Sequence, residues 1–362
     1  MRKPPTMTDV ARRAGVSPAT VSNVLGNRKP VEPGLVERVR KAASDLDYHV
    51  DRAASRLRSG KTNVIAVAVP SLENPFFASL IAAIEIEAQK DGYEIIVSST
   101  NESESAERSR VSALLSWRPA GLIVVPTSDR FPGRQLLDHS GIPYVLVDRV
   151  LPQQPTDTVS VHNVQAAEEV AEHLLDFGHR EVLIAASALD LFNIRERSEG
   201  VRGTYERAGQ PLPQSLEVGR DFETATDSLR QWLGVHGRPS AIFALTNVAT
   251  LGVVAALSRL SIRVPDEVSL VGFDDYAWMR ATTPSITAVR QPLNEMSKVA
   301  WQRLRSRIRG EDLPPREFRL HCNLDLRQST MIAGPSLLHR HTGEPSGMLR
   351  APKAKRHYSK PA

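Results

Sequence analysis

A series of short apolar runs alternates with helix-length amphipathic segments from Asn63 onward, and this alternation restricts the fold more than any other feature of the chain. The runs are rich in β-branched side chains, which is typical of strands that are buried on both faces of a parallel sheet. Because a helix-length segment follows each run, the pattern predicts a doubly wound α/β fold. The runs are numerous enough for two sheets, and therefore for two lobes. They are NVIAVAV, EIIVSS, GLIVVP, YVLVD, VSVH, EVLIAA, AIFAL and VSLVGF.

The amino-terminal segment TMTDVARRAGVSPATVSNVLGNR has a different pattern, that of two short helices joined by a tight turn. Thr6 and Asp9 have the spacing of a capping box, which predicts the start of a first helix. Gly15 breaks this helix, and Ser17 followed by Pro18 is typical of the start of a second one. The apolar residues of a small three-helix core recur at helical spacing: Val10, Ala14, Val16, Val21, Val24, Leu25, Leu35, Val39, Ala42 and Leu46.

Basic residues are concentrated at the two ends of the chain. Residues 1–60 contain twelve basic and six acidic side chains, and residues 334–362 contain six and one, whereas the residues between them have a net charge of −6. This distribution is expected when nucleic acid meets only part of a chain. We therefore interpret the two amino-terminal helices as a helix-turn-helix whose second helix enters the major groove of double-stranded DNA.

The motifs VSPATVSNVL, LDYHVDRAASRLRSG and NPFF resemble those of the LacI/GalR family of transcriptional regulators, and the resemblance extends to about residue 333. It implies a small all-α helix-turn-helix head joined by a hinge helix to a two-lobed α/β domain like the periplasmic sugar-binding proteins. The head would span residues 1–50 and the hinge helix and linker residues 51–61. The effector-binding and dimerisation domain would span residues 62–333, and a disordered basic tail residues 334–362.

The same resemblance divides the larger domain into lobes that share crossover segments, a helix over residues 293–309 and strands around Arg319 and Leu324. Lobe 1 would contain residues of about 62–161 and 291–320. Lobe 2 would contain residues of about 162–290 and 321–333. In such an arrangement the lobes can close on a ligand held between them.

The resemblance also implies which residues contact a near-palindromic operator. Leu57 of the hinge helix would part a central base step, although an ordinary linker leucine is the alternative. Asn23 stands where the family often has Arg, so we expect an adenine where relatives read guanine, unless Asn23 faces a phosphate. The expected DNA contacts are Thr8, Ser17, Pro18, Ala19, Thr20, Ser22, Asn23, Asn27, Arg52, Ala54 and Leu57.

A second group of residues follows the predicted strands at their carboxyl ends, where open α/β sheets bind ligands. Aromatic faces suit the C–H surfaces of a sugar ring, and charged side chains suit its hydroxyls. The group resembles the pentose-binding set of the family, and we expect a sugar-like effector, either a neutral monosaccharide or a sugar acid. The segment SALDLFN is too apolar for a phosphate-binding loop. The expected effector contacts are Asn74, Phe76, Phe77, Asp148, Arg149, Arg197, Asn247, Asp274 and Gln291.

Each of these residues also has a structural interpretation. Phe76 and Phe77 suit an apolar core, Asp148 and Arg149 suit an ion pair with each other, and Asp274 suits the cap of a loop. The effector site is therefore predicted from the combination of residues.

Motifs of catalysis are absent from the sequence. The chain has no Gly-x-Gly-x-x-Gly after its first strand, no His-Glu-x-x-His and no Gly-x-Ser-x-Gly, so we expect no enzymatic activity, no cofactor and no metal. The alternative is a sugar-binding transport component or a small-molecule enzyme on the same α/β fold.

The remaining expectations concern location and assembly. No apolar run is long enough to cross a membrane, and the polar first residues lack the apolar stretch of a secretory signal, so we expect a cytoplasmic protein. The tail lacks leucine heptads, and a two-fold homodimer is then the simplest assembly.

Overall fold

The computed structural model describes residues 5–26, 29–48, 62–151 and 155–334. Contacts between Cα atoms divide the chain into two units, with the division between Asn63 and Val64. The smaller unit contains three helices among its described residues: α1 (Met7–Ala14), α2 (Pro18–Gly26) and α3 (Pro33–Asp45).

Side-chain caps determine where the first two helices begin. Thr6 and Asp9 form the predicted capping box, in which Thr6 N donates to Asp9 Oδ2 at 2.9 Å and Asp9 N donates to Thr6 Oγ1 at 3.3 Å. Ser17 Oγ accepts a hydrogen bond from Thr20 N at 3.1 Å. These bonds satisfy backbone amides that have no partner within their own helix.

The three helices enclose a small apolar core. The predicted set joins this core with one exception, because Leu35 is half-buried and lies outside the cluster. The buried members are Val10, Ala11, Ala14, Val21, Val39, Ala42 and Ala43.

Gly15 ends α1 in the left-handed backbone conformation, with φ 65°. A Cβ atom at this position would lie 2.9 Å from Arg38 Nη2, which donates to the carbonyl oxygens of Ala14 and Gly15. We expect Gly15→Ala to destabilise the three-helix unit by about 1–2 kcal/mol, because it adds backbone strain and displaces Arg38. Amide exchange in the full-length variant should be faster in peptides from residues 5–48.

Gly34→Ala is the matched control for this substitution. Gly34 lies in the first turn of α3, and its added Cβ would meet only Glu32 Oε1, at 3.9 Å. Alanine is a better helix former than glycine, so protection should be unchanged or higher. Equal loss of protection in both variants would contradict a specific role of the turn at Gly15.

The larger unit has two lobes, each built on a six-stranded sheet. The strands of lobe 1 are β1 (Val64–Val69), β2 (Glu94–Ser99), β3 (Gly121–Val124), β4 (Tyr144–Val147), β5 (Thr158–Val161) and β11 (Glu317–Leu320). The strands of lobe 2 are β6 (Val182–Ala186), β7 (Gln214–Glu217), β8 (Ala241–Ala244), β9 (Ser269–Phe273), β10 (Thr287–Arg290) and β12 (Asn323–Asp325). Their orders are β11-β5-β4-β3-β1-β2 and β12-β10-β9-β8-β6-β7. Only the pairing of β10 with β12 is antiparallel among the described pairs.

Helices cover both faces of each sheet, as the alternating sequence pattern predicts. The helices of lobe 1 are α4 (Pro75–Lys90), α5 (Glu104–Ser116), α6 (Arg134–Ser140) and α12 (Leu293–Ile308). Those of lobe 2 are α7 (Asn163–Asp176), α8 (Phe192–Arg207), α9 (Phe222–His236), α10 (Asn247–Arg259) and α11 (Ala277–Ala281). Each lobe therefore has two apolar cores, one on either side of its sheet. Within the described residues, no helix is both long and apolar enough to cross a bilayer.

The chain crosses between the lobes at three places in its described part. It passes from β5 into α7, from β10 into α12, and directly from β11 to β12. Consequently β11 belongs to the sheet of lobe 1 and β12 to the sheet of lobe 2.

Two strands, β7 and β10, were not predicted from the sequence. The segment QSLE of β7 lies at the edge of its sheet and is largely exposed, so it needs no apolar run. The segment TAVR of β10 is buried over only three residues, which is too short to stand out from its surroundings.

Candidate functional site

A small cavity of about 60 Å³ lies between the lobes, at the carboxyl ends of their strands. Parallel strands place the residues that follow them at one edge of the sheet, and here the two such edges face each other. Eight of the nine predicted effector residues line this cavity: Asn74, Phe76, Phe77, Asp148, Arg149, Arg197, Asp274 and Gln291.

Asp148 and Asp274 occupy equivalent places in the two lobes. Asp148 follows β4 and Asp274 follows β9, and both have left-handed backbone conformations, with φ 68° and 72°. A left-handed backbone is unfavourable for a residue with a Cβ, so each turn is held by its surroundings. Gln291 Nε2 donates to Asp274 Oδ1 at 2.7 Å, and Asn193 Nδ2 donates to Asp148 Oδ2 at 3.2 Å.

Burial determines the protonation behaviour of both carboxyls. It raises the pKa of Asp148, against the opposing effect of the Arg197 and Arg149 guanidinium groups. It also raises the pKa of Asp274, to about 6, although Arg197 and the Gln291 hydrogen bond favour the ionised form. The cavity therefore contains two carboxyl groups that ionise less readily than exposed ones.

Arg197 is the cation that both carboxyls share, and it is almost completely buried, with 2% of its surface exposed. Its Nε donates to Asn163 Oδ1 and its Nη1 to the Leu245 carbonyl oxygen, each at 2.8 Å. The guanidinium carbon lies 3.5 Å from the centre of the Phe273 ring, so the side chain is fixed by stacking as well.

Gly200 allows the helix of Arg197 to approach its neighbour. A Cβ at Gly200 would lie 2.4 Å from the Val164 carbonyl oxygen, which shows how closely α8 packs on α7. This approach brings Arg197 of α8 within hydrogen-bonding distance of Asn163, the first residue of α7.

An aromatic wall forms the lobe 1 side of the cavity. Asn74 Oδ1 caps α4 by accepting from Phe76 N at 3.0 Å, and the Phe76 and Phe77 rings pack edge to face with centres 5.3 Å apart. Both rings belong to the apolar core and also line the cavity, so their two interpretations are compatible. The Arg149 guanidinium lies 5.9 Å from the Phe77 ring centre.

Asn247 is the predicted effector residue that does not line the cavity. Its side-chain oxygen accepts a hydrogen bond from Trp278 Nε1 at 3.3 Å. Its neighbours Thr246 and Val248 face the cavity instead. Thr246 Oγ1 caps α10, so Asn247 is the first residue of this helix. From that position its side chain contacts Trp278 and not the cavity.

Five polar residues of the cavity are not among the predicted effector contacts: Glu102, Ser187, Asn193, Arg220 and Thr246. Glu102 lies in the turn between β2 and α5, and Arg220 in the turn between β7 and α9. Arg220 Nη1 donates to Glu102 Oε2 at 3.3 Å, which joins the two lobes across the cavity. Arg220 follows no apolar run of the sequence, and Glu102 lies three residues beyond the end of the run EIIVSS.

A second ionic contact joins the lobes outside the cavity. Asp129 of lobe 1 accepts from the backbone amide of Phe192 at 3.1 Å and from Arg195 Nη2 at 2.6 Å. The loop of Asp129 is held in turn by Glu107, which accepts from the backbone amides of Thr127 and Gly133. A third ion pair, Arg319 Nη1 of lobe 1 with Glu196 Oε1 of lobe 2 at 2.6 Å, also joins the lobes, so charged groups join them at three separate points.

The predicted DNA-contacting residues within the described ranges lie on α1 and at the start of α2. Thr8, Ser17, Pro18 and Ala19 are exposed, and Thr20, Ser22 and Asn23 are partly exposed, so all present surface to solvent. The remaining residues, Asn27, Arg52, Ala54 and Leu57, lie outside the described residues, as do the predicted hinge helix and linker over residues 51–61 and residues 335–362.

Comparison with known proteins identifies both parts of the chain. Residues 6–51 match the family model of bacterial regulatory proteins of the lacI family, and residues 171–330 match a periplasmic binding protein-like domain. The HTH-type transcriptional regulator PtxS of Pseudomonas aeruginosa is 33% identical over 332 residues, which cover 91% of this chain and 96% of that protein. The chain belongs to the LacI family. It is a transcriptional regulator, and the resemblance predicted from its motifs is confirmed.

Other members of the LacI family agree in sequence and in fold. The ribose operon repressor of Escherichia coli is 29% identical over 318 residues, covering 87% of this chain and 96% of the repressor. The Lac repressor dimer bound to operator and an anti-inducer has a TM-score of 0.80 at 26% identity, covering 91% of this chain and 100% of that structure. The predicted fold class, a helix-turn-helix region followed by a two-lobed α/β domain, is confirmed.

Proposed function

We propose that this chain is a cytoplasmic repressor that binds a near-palindromic operator as a homodimer and responds to a sugar or sugar acid held between its lobes. Effector binding changes the closure of the lobes, and closure alters the spacing of the two paired heads. Because such coupling is reciprocal, operator and effector change each other's affinity by the same factor.

The observation that carries this proposal is the convergence of the predicted effector residues on one interlobe cavity. They come from loops and helices that follow the strands, between Asn74 and Gln291 of the sequence, and they combine aromatic faces with charged hydrogen-bonding groups. This combination suits a small polyhydroxylated ligand. The Lac repressor relative bound to operator as a dimer supports the assembly and the DNA partner.

The test is selection of bound fragments from random duplex DNA by the full-length protein, with and without a panel of monosaccharides and sugar acids. We expect a pseudo-palindromic sequence, an affinity that falls steeply with salt, and at least one compound that changes it. Analytical ultracentrifugation should give a dimer. Equal affinity for the selected and for random duplex at matched salt would exclude a sequence-specific regulator.

Asn23 provides a prediction at the level of one base pair. If its amide contacts an adenine edge, Asn23→Ala should remove about 1–3 kcal/mol of discrimination at one position of each half-site, with the other positions unaffected. The measurement is a binding series over the selected operator with each base substituted in turn.

The control is Glu37→Ala, which removes an exposed side chain of α3. It should leave the base preferences unchanged. Uniform weakening of all sequences by Asn23→Ala would instead assign Asn23 to a phosphate and contradict the prediction.

A further inference from the structure

Glu102 stands between two arginines, one from each lobe, inside the cavity described above. Its Oε1 lies 3.5 Å from Arg149 Nη2, and its Oε2 lies 3.3 Å from Arg220 Nη1. Charge-assisted hydrogen bonds between guanidinium and carboxylate groups are ordinarily 2.7–2.9 Å long. The Glu102 carboxylate therefore bridges the two arginines without a close contact to either.

Two donors of Arg149, Nε and Nη2, are available to bind a carboxylate. Its Nη1 donates to the carbonyl oxygens of Pro126 and Thr127, at 2.8 and 2.6 Å, which fixes the plane of the group. Its Nε is buried without a hydrogen-bond partner, and its Nη2 has only the long contact to Glu102. Nε and Nη2 lie side by side on one edge of a guanidinium group, and this edge binds a carboxylate through two parallel hydrogen bonds.

Arg220 is held in place beside this edge. Its Nη2 donates to both carboxylate oxygens of Asp190, at 2.8 and 2.9 Å, which leaves Nη1 directed at Glu102. About a third of the Arg220 side chain and a quarter of the Glu102 side chain are exposed, so this end of the cavity is at its rim. If a ligand displaces the Glu102 carboxylate, the carboxylate can therefore be hydrated at the rim.

The other hydrogen bonds of the cavity leave Arg149 as the donor available to an anion. Arg197 already bonds to Asn163 and Leu245, and the other two arginines meet at Glu102. An unpaired buried N–H is unfavourable, and a ligand that supplies an acceptor to Arg149 Nε removes this cost.

We propose that the effector is a sugar acid whose carboxylate binds Arg149 and Arg220 in place of Glu102. This inference rests on the proposed function and names its ligand class. The hydroxyls of the acid then bind the Asp148, Asp274 and Gln291 end of the cavity. A planar carboxylate fits the Arg149 edge, whereas the larger and dianionic phosphate of a sugar phosphate would approach the two buried carboxyls.

The test measures dissociation constants of the full-length protein by titration calorimetry for acids and their neutral parents. The pairs are D-ribonate and D-ribose, D-xylonate and D-xylose, and D-gluconate and D-glucose, with D-ribose 5-phosphate as the other anion. We expect an acid to bind about ten- to a hundredfold more tightly than its parent, which is the effect of a charge-assisted pair. The phosphate should bind more weakly than that acid.

Two variants distinguish a direct role of the arginine from an effect on lobe closure. Arg220→Gln should bring the acid-to-sugar affinity ratio down by about tenfold, and Glu102→Gln should raise that ratio because the internal competitor is gone. Arg195→Gln is the matched control, because Arg195 also joins the lobes, through Asp129, but does not line the cavity. It should leave the ratio unchanged.

The possible outcomes separate this inference from the function on which it rests. If neutral sugars bind as tightly as their acids, or if Arg220→Gln and Arg195→Gln act alike on the ratio, the sugar-acid assignment is wrong and the proposed function stands. If D-ribose 5-phosphate binds more tightly than every acid, the sugar-acid assignment is also wrong and the proposed function stands. If no member of either series binds, both the inference and the proposed effector site fail.

Discussion

Replacement of Arg197 by methionine is expected to lower the free energy of unfolding of the α/β domain by about 3–5 kcal/mol, the usual cost of removing one partner from a buried charge network. The substitution keeps much of the apolar stem that packs on Phe273 but removes all donors. The Asn163 side-chain oxygen and the Leu245 carbonyl then lose their partner, and two buried carboxyls lose their shared cation. Urea unfolding followed by tryptophan fluorescence measures the effect.

The tryptophans make this measurement specific, because all four lie between residues 117 and 301 and none is in the head. Arg207→Met on the same helix is the matched control. Arg207 is exposed and forms a surface ion pair with Glu168 at 2.8 Å, so its loss should cost about 0–1 kcal/mol. Similar destabilisation by the two variants would show that Arg197 contributes no more than a surface arginine.

The parts of this molecule that sequence predicts are those with a local physical signal. The capping box at Thr6 and Asp9 depends on residues three apart, and the structure contains it. The strand ends at Asp148 and Asp274 were marked by the apolar runs that precede them, and parallel strands bring such ends to one edge. Family resemblance then selected nine effector residues, eight of which line the cavity.

The contacts that sequence did not predict are made between distant turns. Glu102 and Arg220 are 118 residues apart and follow strands at the edges of their sheets, so neither a spacing nor a buried run indicates their ion pair. Asn193 reaches Asp148 from the first turn of α8, which the sequence marks only through its apolar loop. Such pairs depend on how the lobes meet, and no local pattern records this.

Asn247 shows a different limit of the same approach. Its position after β8 was predicted correctly, but its side chain bonds to Trp278 and does not line the cavity. The direction of a side chain at a helix start depends on which residue caps the helix, and Thr246 does so here. A shift of one residue at a cap is below the resolution of pattern analysis.

Asp274→Asn is expected to stabilise the α/β domain at pH 8 by about 3 kcal/mol while removing a carboxylate of the proposed effector site. The pKa of Asp274 is raised from 3.8 to about 6 by burial. Between these values the folded protein binds more protons than the unfolded chain, so this group lowers stability as pH rises through about 4 to 6. Above that window the folded protein carries an ionised buried carboxylate at a constant cost. This cost is about 3 kcal/mol, because the pKa differs by about 2 between the folded and the unfolded protein and each pKa unit corresponds to about 1.4 kcal/mol.

Asparagine is neutral at every pH and retains the side-chain oxygen that accepts from Gln291 Nε2. The difference in the free energy of unfolding between variant and parent should therefore grow from about zero at pH 4 to its full value at pH 8, as urea titrations at several pH values would measure. Asp275→Asn is the neighbouring control, and it should destabilise at pH 8 because it breaks the buried ion pair with Arg327 at 2.8 Å. A gain for Asp274→Asn that is equal at pH 4 and pH 8 would show that the buried charge is not its source.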